Sequence, residues 1–173
     1  MKCRGAVLRG VGRDWEIEEI TLDPPQDGEV LVKMVVAGIC HSDDHFATGD
    51  MIAPPDLVAM YEAMGIPVPD YFPVLGGHEG AGIVEAVGPG VRSVQPGDHV
   101  GLSFIAACGT CRWCVSGMTY LCDNGALMLS KEMVTDNTVR RHVGDEDLMA
   151  FAQLGTFAEY AVLAEESVIK LDD

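Results

Sequence analysis

The chain has 173 residues, 48% of them hydrophobic, which is enough for one folded domain with a core of its own. Its formal net charge of -16 argues against nucleic acid and anionic membrane surfaces as partners, because phosphate groups would be repelled. The apolar run near the N-terminus is interrupted by Arg9 and is too short for a signal peptide, and no apolar stretch is long enough to span a bilayer, so we expect a cytoplasmic protein. The chain has six cysteines, and in that reducing compartment clustered cysteines are expected to bind metal rather than to form disulfides.

Short apolar runs separated by glycine and proline indicate a mostly β chain that folds as a barrel-like domain. The strongest strand is predicted at residues 29–36, where β-branched side chains dominate. The other predicted strands cover residues 7–8, 15–20, 83–87, 99–100, 157–163 and 168–171. Residues 130–153 mix charges of both signs, which predicts an irregular surface segment.

Residues 50–73 differ in composition from the strands around them and include one predicted helix. Pro55 suits the first turn of this helix, and Gly65 is expected to end it. Its apolar residues fall on one face: Leu57, Met60, Tyr61 and Met64. That face either packs on the core or covers a site as a lid.

Two motifs stand at the ends of predicted strands. The strand at residues 29–36 runs on to Cys40, and a glycine-rich turn that contains His78 precedes the strand at residues 83–87. A side chain at a strand end has a rigid support, and a histidine there can direct a ring nitrogen at a metal or a substrate. A lone histidine is more often structural, but His78 occurs together with Cys40 and with a cysteine cluster.

That cluster contains four cysteines at spacings of three, three and eight: Cys108, Cys111, Cys114 and Cys122. Such spacings allow one loop and a returning segment to form a tetrahedral thiolate shell, which predicts a zinc lobe at about residues 104–126. Four protein ligands leave no open position, so this zinc is structural. Disulfides are one alternative, but they would need an oxidising compartment. An iron–sulfur cluster is another, because ferredoxins use a related run of cysteines; in that run the fourth cysteine is followed by proline, whereas Cys122 is followed by Asp123 and the chain has no second set.

A second metal site is predicted from the remaining thiolate and imidazole, Cys40 and His78. A catalytic zinc typically has three protein ligands and one open position for water or substrate. Glu79 follows His78 directly and offers a third or an alternate ligand.

Polar residues after Cys40 suit the surroundings of such a metal. Zinc lowers the pKa of a bound hydroxyl, and Ser42 with His45 provides a hydroxyl and a titratable ring for a proton path. Asp43 suits a partner that orients a ligand histidine. Ser42 and Asp43 are also ordinary helix-capping residues, so each assignment is weak when taken alone.

Together these motifs resemble the zinc-dependent alcohol dehydrogenases of the medium-chain dehydrogenase/reductase superfamily. The resemblance includes the His78 turn, the motif at residues 40–43 and the cysteine lobe, and it covers nearly the whole chain. It implies a catalytic domain over residues 1–173, with a GroES-like, partly open β-barrel, short helices and a zinc-binding lobe. Residues 50–73 resemble the insert of actinobacterial members that keep their nicotinamide tightly bound.

The resemblance implies a role for each matched residue of the catalytic zinc site. Cys40 and His78 would be two zinc ligands, Glu79 would be the carboxylate beside the metal, and Asp43 would be the partner of His78. The four cysteines of the lobe would hold the structural zinc.

For the reaction, the resemblance implies reversible hydride transfer between a small alcohol and a nicotinamide cofactor, NAD or NADP, which gives an aldehyde or ketone. Ser42 would accept the proton of the alcohol, and His45 would stand at the far end of the proton relay. His41 stands where the family usually has a basic residue that faces the pyrophosphate of the cofactor.

Two features of the family are not found in this sequence. The third zinc ligand of the family is a cysteine beyond residue 173, and Cys3, the one unassigned cysteine here, is in the wrong place. The nucleotide-binding Rossmann domain with its glycine fingerprint is missing as well. We therefore expect part of a longer, homo-oligomeric enzyme, and a chain that is inactive and monomeric on its own.

Two alternative functions remain open. The first is a thiol-dependent formaldehyde dehydrogenase, a relative that handles aldehydes. The second is a non-catalytic, zinc-binding GroES-like module, which would keep the four-cysteine lobe but would have no use for a relay from Ser42 to His45.

Overall fold

The structure, a computed structural model, describes residues 1–172. The strands within this range are β1 (Lys2–Leu8), β2 (Glu16–Leu22), β3 (Glu29–Ala37), β4 (Val74–Leu75), β5 (Gly80–Val87), β6 (His99–Leu102), β7 (Arg141–Val143), β8 (Glu146–Asp147), β9 (Met149–Ala150), β10 (Tyr160–Ala164) and β11 (Val168–Lys170). The α-helices are α1 (His41–Thr48), α2 (Pro55–Ala63) and α3 (Arg112–Val115). Short 3-10 helices cover Thr119–Leu121, Asp123–Leu127, Phe151–Gln153 and Glu165–Ser167.

The strands form two sheets, with the orders β8-β7-β2-β1-β4-β9 and β10-β3-β5-β6-β11. All neighbours are antiparallel except β4 and β9, which run parallel. Strands occur at every predicted position, with shifted ends, so the prediction of a mostly β, barrel-like domain is confirmed. Residues 1–172 contain no doubly wound parallel sheet of the Rossmann type.

Apolar side chains from both sheets and from α1 fill the interior in three clusters. One is built around Val7, Ile20 and Leu75 of the first sheet, and a second around Val32 and Val100 of the other. The third cluster lies under α1 and contains Leu8, Phe46, Val74, Met149 and Phe151. Burial of Phe46 in this third cluster fixes α1 against the barrel.

The pairing of β3 with β5 brings the two predicted metal-binding motifs together. Ala37 at the end of β3 pairs with Gly80 at the start of β5. Cys40 follows Ala37 by three residues and His78 precedes Gly80 by two, so both motifs emerge at the same edge of the sheet. Close contact of the strands requires glycine at position 82, because a Cβ there would overlap the carbonyl oxygen of Lys33.

Helix α2 confirms the helix predicted within residues 50–73, with Pro55 in its first turn and Gly65 in the left-handed conformation just after its end. Its apolar face does not pack on the core, since none of its residues is buried and Met60 is about half exposed. Lys131 anchors the following segment, because its Nζ donates to Asp70 Oδ2 at 2.9 Å. Within residues 1–172 no helix combines the length and the apolar character needed to cross a membrane.

The prediction of an irregular surface segment at residues 130–153 is wrong. This stretch contributes β7, β8 and β9, and it buries Arg140 and Arg141. Arg140 Nε donates to the buried carboxylate of Glu29 at 3.0 Å, and Arg141 Nη2 donates to the carbonyl oxygens of Gln153 and Val162. Charged side chains that find such partners can be buried, and the charge pattern alone does not reveal the partners.

Candidate active site

Three potential ligands converge at the edge of the sheet where β3 ends and β5 begins. Cys40, His78 and Glu79 each offer one ligand atom, and these atoms lie within 4.8 Å of one another. His78 Nε2 is 3.9 Å from Glu79 Oε1. Cys40 stands at the N-cap of α1, and His78 lies in the turn before β5. A thiolate, an imidazole and a carboxylate form a donor set that fits zinc with an open position.

The buried carboxylate of Asp43 connects both halves of this site. Its Oδ1 accepts the N–H of Gly77 at 2.8 Å, and its Oδ2 accepts the N–H of Cys40 at 3.3 Å. Oδ2 also lies 3.5 Å from Nδ1 of His78, a buried ring nitrogen that makes no hydrogen bond within residues 1–172. Since Nδ1 faces Asp43, Nε2 is the nitrogen left to face Glu79 and a metal.

The backbone of Glu79 is fixed from two sides. The N–H of Gly38 donates to the carbonyl oxygen of Glu79 at 3.0 Å, and the hydroxyl of Thr156 donates to the same oxygen at 2.9 Å. The carboxylate of Glu79 lies over Gly38, where a Cβ would overlap Oε2. The absence of a side chain at position 38 therefore leaves room for this carboxylate.

Two phenylalanines that the sequence analysis did not identify flank the ring of His78. The ring of Phe151 lies 4.6 Å from it between centroids, and that of Phe104 lies 6.1 Å away at nearly a right angle. Phe151 in turn contacts the buried Phe46 of α1, at 4.8 Å between centroids. These rings restrict the orientation of His78 and make one side of the site apolar.

Helix α1 presents the predicted relay residues. The hydroxyl of Ser42 lies 3.6 Å from Cys40 Sγ, so it is close to the ligand set. His45 Nδ1 lies 3.1 Å from Asp50 Oδ2, and the ring of His45 stacks on that of His41. Across residues 1–172 no hydrogen bond joins Ser42 to His45, so a proton path between them needs a water or a ligand hydroxyl as a bridge.

A mainly apolar cleft of about 500 Å³ opens beside Cys40. Trp15, Ile39 and Phe157 provide its large apolar walls, and Asp44 stands at its polar side. The ring of Trp15 meets that of Phe157 edge to face at 6.3 Å between centroids. A small, largely apolar molecule fits the size and chemistry of this cleft.

The four cysteines of the lobe form a second ligand set. The thiol sulfurs of Cys108, Cys111, Cys114 and Cys122 lie within 4.8 Å of one another. Cys111 Sγ and Cys122 Sγ are 4.0 Å apart. Thiolates bound to zinc at about 2.3 Å in a tetrahedron are separated by about 3.8 Å, so this set fits a closed zinc site.

Hydrogen bonds favour the thiolate form of Cys108, which is the form that binds a cation. Bonds from the hydroxyl and the N–H of Thr110 lower the pKa of the Cys108 thiol to about 6. Burial has the opposite effect on Cys114, whose pKa is raised to about 12. Coordination to zinc deprotonates such a thiol outright, so the cation and the donor set complement one another.

A partly open β-barrel with a four-cysteine lobe and a Cys–His–Glu set defines a GroES-like domain of the zinc-binding type. Residues 26–173 match the alcohol dehydrogenase GroES-like domain, and the chain belongs to this family.

Relatives and solved structures agree with this assignment. The chain is 47% identical over its whole length to the NDMA-dependent alcohol dehydrogenase of Amycolatopsis methanolica. Over 99% of its length it is 42% identical to the S-(hydroxymethyl)glutathione dehydrogenase of Photobacterium damsela subsp. piscicida. It is similar over its whole length to the crystal structure of an alcohol dehydrogenase zinc-binding domain protein from Burkholderia ambifaria, with a TM-score of 0.80 and 32% identity. The chain spans 42% of the length of each of these proteins.

Proposed function

We propose that this chain is the catalytic domain of a zinc-dependent alcohol dehydrogenase, which oxidises an alcohol to an aldehyde or ketone by hydride transfer to NAD or NADP. The observation that carries the proposal is the convergence of Cys40, His78 and Glu79, with the buried Asp43 behind His78. The names of the similar proteins support the same reaction class.

In this proposal the four-cysteine lobe holds a structural zinc, and Cys40, His78 and Glu79 hold a catalytic one. The catalytic zinc would supply a Lewis acid that lowers the pKa of an alcohol oxygen. Asp43 faces Nδ1 of His78, so this nitrogen points away from the substrate side. The same carboxylate accepts hydrogen bonds from the backbone N–H groups of Cys40 and Gly77 and so connects the two segments. The protein thereby fixes the ligand directions before substrate binds.

Ser42 and His45 conduct the proton of the alcohol to solvent. The Ser42 hydroxyl lies beside the ligand set and accepts the proton, and a bridging hydroxyl or water passes it to His45. Asp50 Oδ2 lies 3.1 Å from Nδ1 of His45 and orients the ring, which leaves Nε2 as the nitrogen that takes part in proton transfer. His41 stands exposed at the start of α1, where it would face the pyrophosphate of a bound cofactor.

Apolar surfaces on both sides of the ligand set favour a small, largely apolar alcohol or aldehyde. Phe104 and Phe151 flank the ring of His78, and the cleft beside Cys40 is lined by Trp15 and Phe157. The exposed helix α2 would act as a lid over this region.

For the whole protein, we propose a cytoplasmic, homo-oligomeric enzyme in which a nucleotide-binding domain carries the cofactor. The segment at residues 50–73 and the similarity to the Amycolatopsis enzyme support a subgroup that keeps its nicotinamide tightly bound.

Substitution of Ser42 by alanine in the full-length enzyme tests the proposal. Turnover should be abolished while the zinc content stays the same, because the hydroxyl is not a metal ligand. Ser116→Ala, at an exposed serine of the cysteine lobe, is the matched control and should keep full activity. Undiminished turnover in Ser42→Ala would refute the proton path.

A second candidate is a thiol-dependent formaldehyde dehydrogenase, which is supported by the similarity to the Photobacterium protein. The two functions differ in whether a low-molecular-weight thiol must be combined with the aldehyde. Activity of the full-length enzyme with simple alcohols in the absence of thiol supports the first function. Activity that appears only after glutathione is added to formaldehyde supports the second.

A further inference from the structure

Two histidines lie one turn apart on the exposed face of α1. His41 and His45 are at positions i and i+4, and their ring centroids are 4.6 Å apart with the planes inclined by 15°. Their side chains are 78% and 40% exposed, respectively. Two histidines at this spacing on one helical face are a recurrent chelating pair for transition metals.

Each ring has a carboxylate at one of its two nitrogens. Asp50 Oδ2 lies 3.1 Å from Nδ1 of His45, and Thr48 Oγ1 donates to the same oxygen at 2.7 Å. Asp44 Oδ2 lies 3.5 Å from Nε2 of His41. The arrangement at His45 is the usual one for a metal-binding histidine, because a carboxylate at one nitrogen fixes the tautomer and makes the other nitrogen a better ligand.

We propose that His41 and His45 form a binding site for a divalent transition-metal ion, separate from the Cys40–His78–Glu79 set and from the cysteine lobe. Imidazole nitrogen suits zinc, nickel and copper. A shared metal must lie in the plane of both rings, so the more exposed ring of His41 turns out of the stack when the ion binds. Water completes the coordination, and the carboxylates of Asp44 and Asp50 offset the charge of the ion.

One consequence of this site rests on the proposed function. A metal ion on His45 occupies the nitrogen that would otherwise release the proton from Ser42. Excess zinc therefore inhibits the enzyme without displacing the ions of the other two sites. Binding at the pair does not depend on this consequence and is tested separately.

The test is a calorimetric titration of the zinc-loaded protein with Ni²⁺, an ion that binds imidazole and does not oxidise thiols. We expect one additional binding event, which His41→Gln and His45→Gln each weaken by about 10- to 100-fold or more, as loss of a partner at a metal site does. Asp50→Asn should weaken it as well, because the carboxylate orients His45. His142→Gln is the matched control, since His142 also lies between two carboxylates, Asp23 and Asp147.

The outcomes separate the sites. Any Ni²⁺ that binds at Cys40 and His78 would still bind in His41→Gln and in His45→Gln. Binding at that site is therefore distinguished from binding at the histidine pair. The proposal is overturned if the protein binds no Ni²⁺ beyond that event, or if His41→Gln and His45→Gln bind as tightly as His142→Gln. Equal melting temperatures for the four variants, His41→Gln, His45→Gln, Asp50→Asn and His142→Gln, would show that the changes are confined to the binding site.

Discussion

Asp43 Oδ2 lies 3.5 Å from Nδ1 of His78, and Oδ1 of the same carboxylate accepts the N–H of Gly77 at 2.8 Å. Asp43 belongs to α1, whereas both partners belong to the turn before β5. A single buried side chain therefore positions a ligand ring and the backbone that carries it. Loss of the Asp43 carboxylate should therefore weaken metal binding more than it destabilises the fold.

Asp43→Asn should weaken zinc binding at the Cys40–His78–Glu79 set by about 10- to 100-fold, because the amide no longer places a negative charge at Nδ1. The zinc of the cysteine lobe should be unaffected. Competition with a chelator, followed by metal analysis, measures both sites. Asp56→Asn, at an exposed position of α2, serves as the control, and equal retention of zinc in the two variants would contradict the role of Asp43.

Gly77 and Gly97 both adopt positive φ, at 88° and 93°, but in different surroundings. A Cβ on Gly97 would meet nothing within 4 Å, whereas one on Gly77 would overlap the Thr156 hydroxyl and lie 2.7 Å from the backbone nitrogen of Phe157. Gly97→Ala should therefore lose about 1–2 kcal/mol of stability, the cost of the left-handed backbone. Gly77→Ala should lower the free energy of unfolding, measured in urea, by distinctly more than Gly97→Ala does. An equal decrease in the two variants would show that the turn tolerates the extra atom.

The buried ion pair of Glu29 and Arg140 should contribute strongly to stability. Glu29 also accepts hydrogen bonds from Thr135 Oγ1 and from the N–H of Gln26, so its removal leaves several partners unsatisfied. We expect Glu29→Gln to lower the free energy of unfolding by about 3 kcal/mol. Glu19→Gln, which breaks the exposed pair with Lys2, should leave it unchanged. If urea unfolding gave similar free energies of unfolding for the two variants, the buried pair would contribute no more to stability than the exposed one.

The carboxylate of Glu165 should make stability depend on pH in the acid range. Burial opposes its ionisation, but the N–H groups of Arg92 and Ser93 outweigh this effect and hold its pKa below the usual 4.5. A lowered pKa in the folded state means that the stabilisation is complete above pH 4.5 and is lost as the pH falls through the folded-state pKa. Glu165→Gln should therefore flatten the fall of stability below pH 4.5, while Glu166→Gln, at an exposed neighbour, should not. An unchanged slope in Glu165→Gln would refute the assignment.

Local patterns were sufficient to predict the parts of the site that depend on short spacings. The four cysteines from Cys108 to Cys122 lie within one short segment, and the structure places their sulfurs together as their spacing predicts. The strand that leads to Cys40 was equally clear, because β-branched residues dominate it.

Local sequence patterns do not predict contacts between segments that are distant in the chain. The ring of Phe151 reaches His78 only through the packing of the third cluster, and no local pattern marks it. The charge of Arg141 predicts a surface position, yet Arg141 is buried where the carbonyl oxygens of Gln153 and Val162 accept its hydrogen bonds. Partners of this kind are set by strand pairing and not by the neighbouring residues.

The zinc content per chain, measured on protein purified without chelators, shows whether both ligand sets bind a metal. We expect two zinc ions per chain, of which Cys40→Ser removes one and Cys111→Ser removes the other. A single zinc ion that survives Cys40→Ser would contradict the site at Cys40, His78 and Glu79. Iron in place of zinc, or no metal at all, would contradict the assignment of both sites.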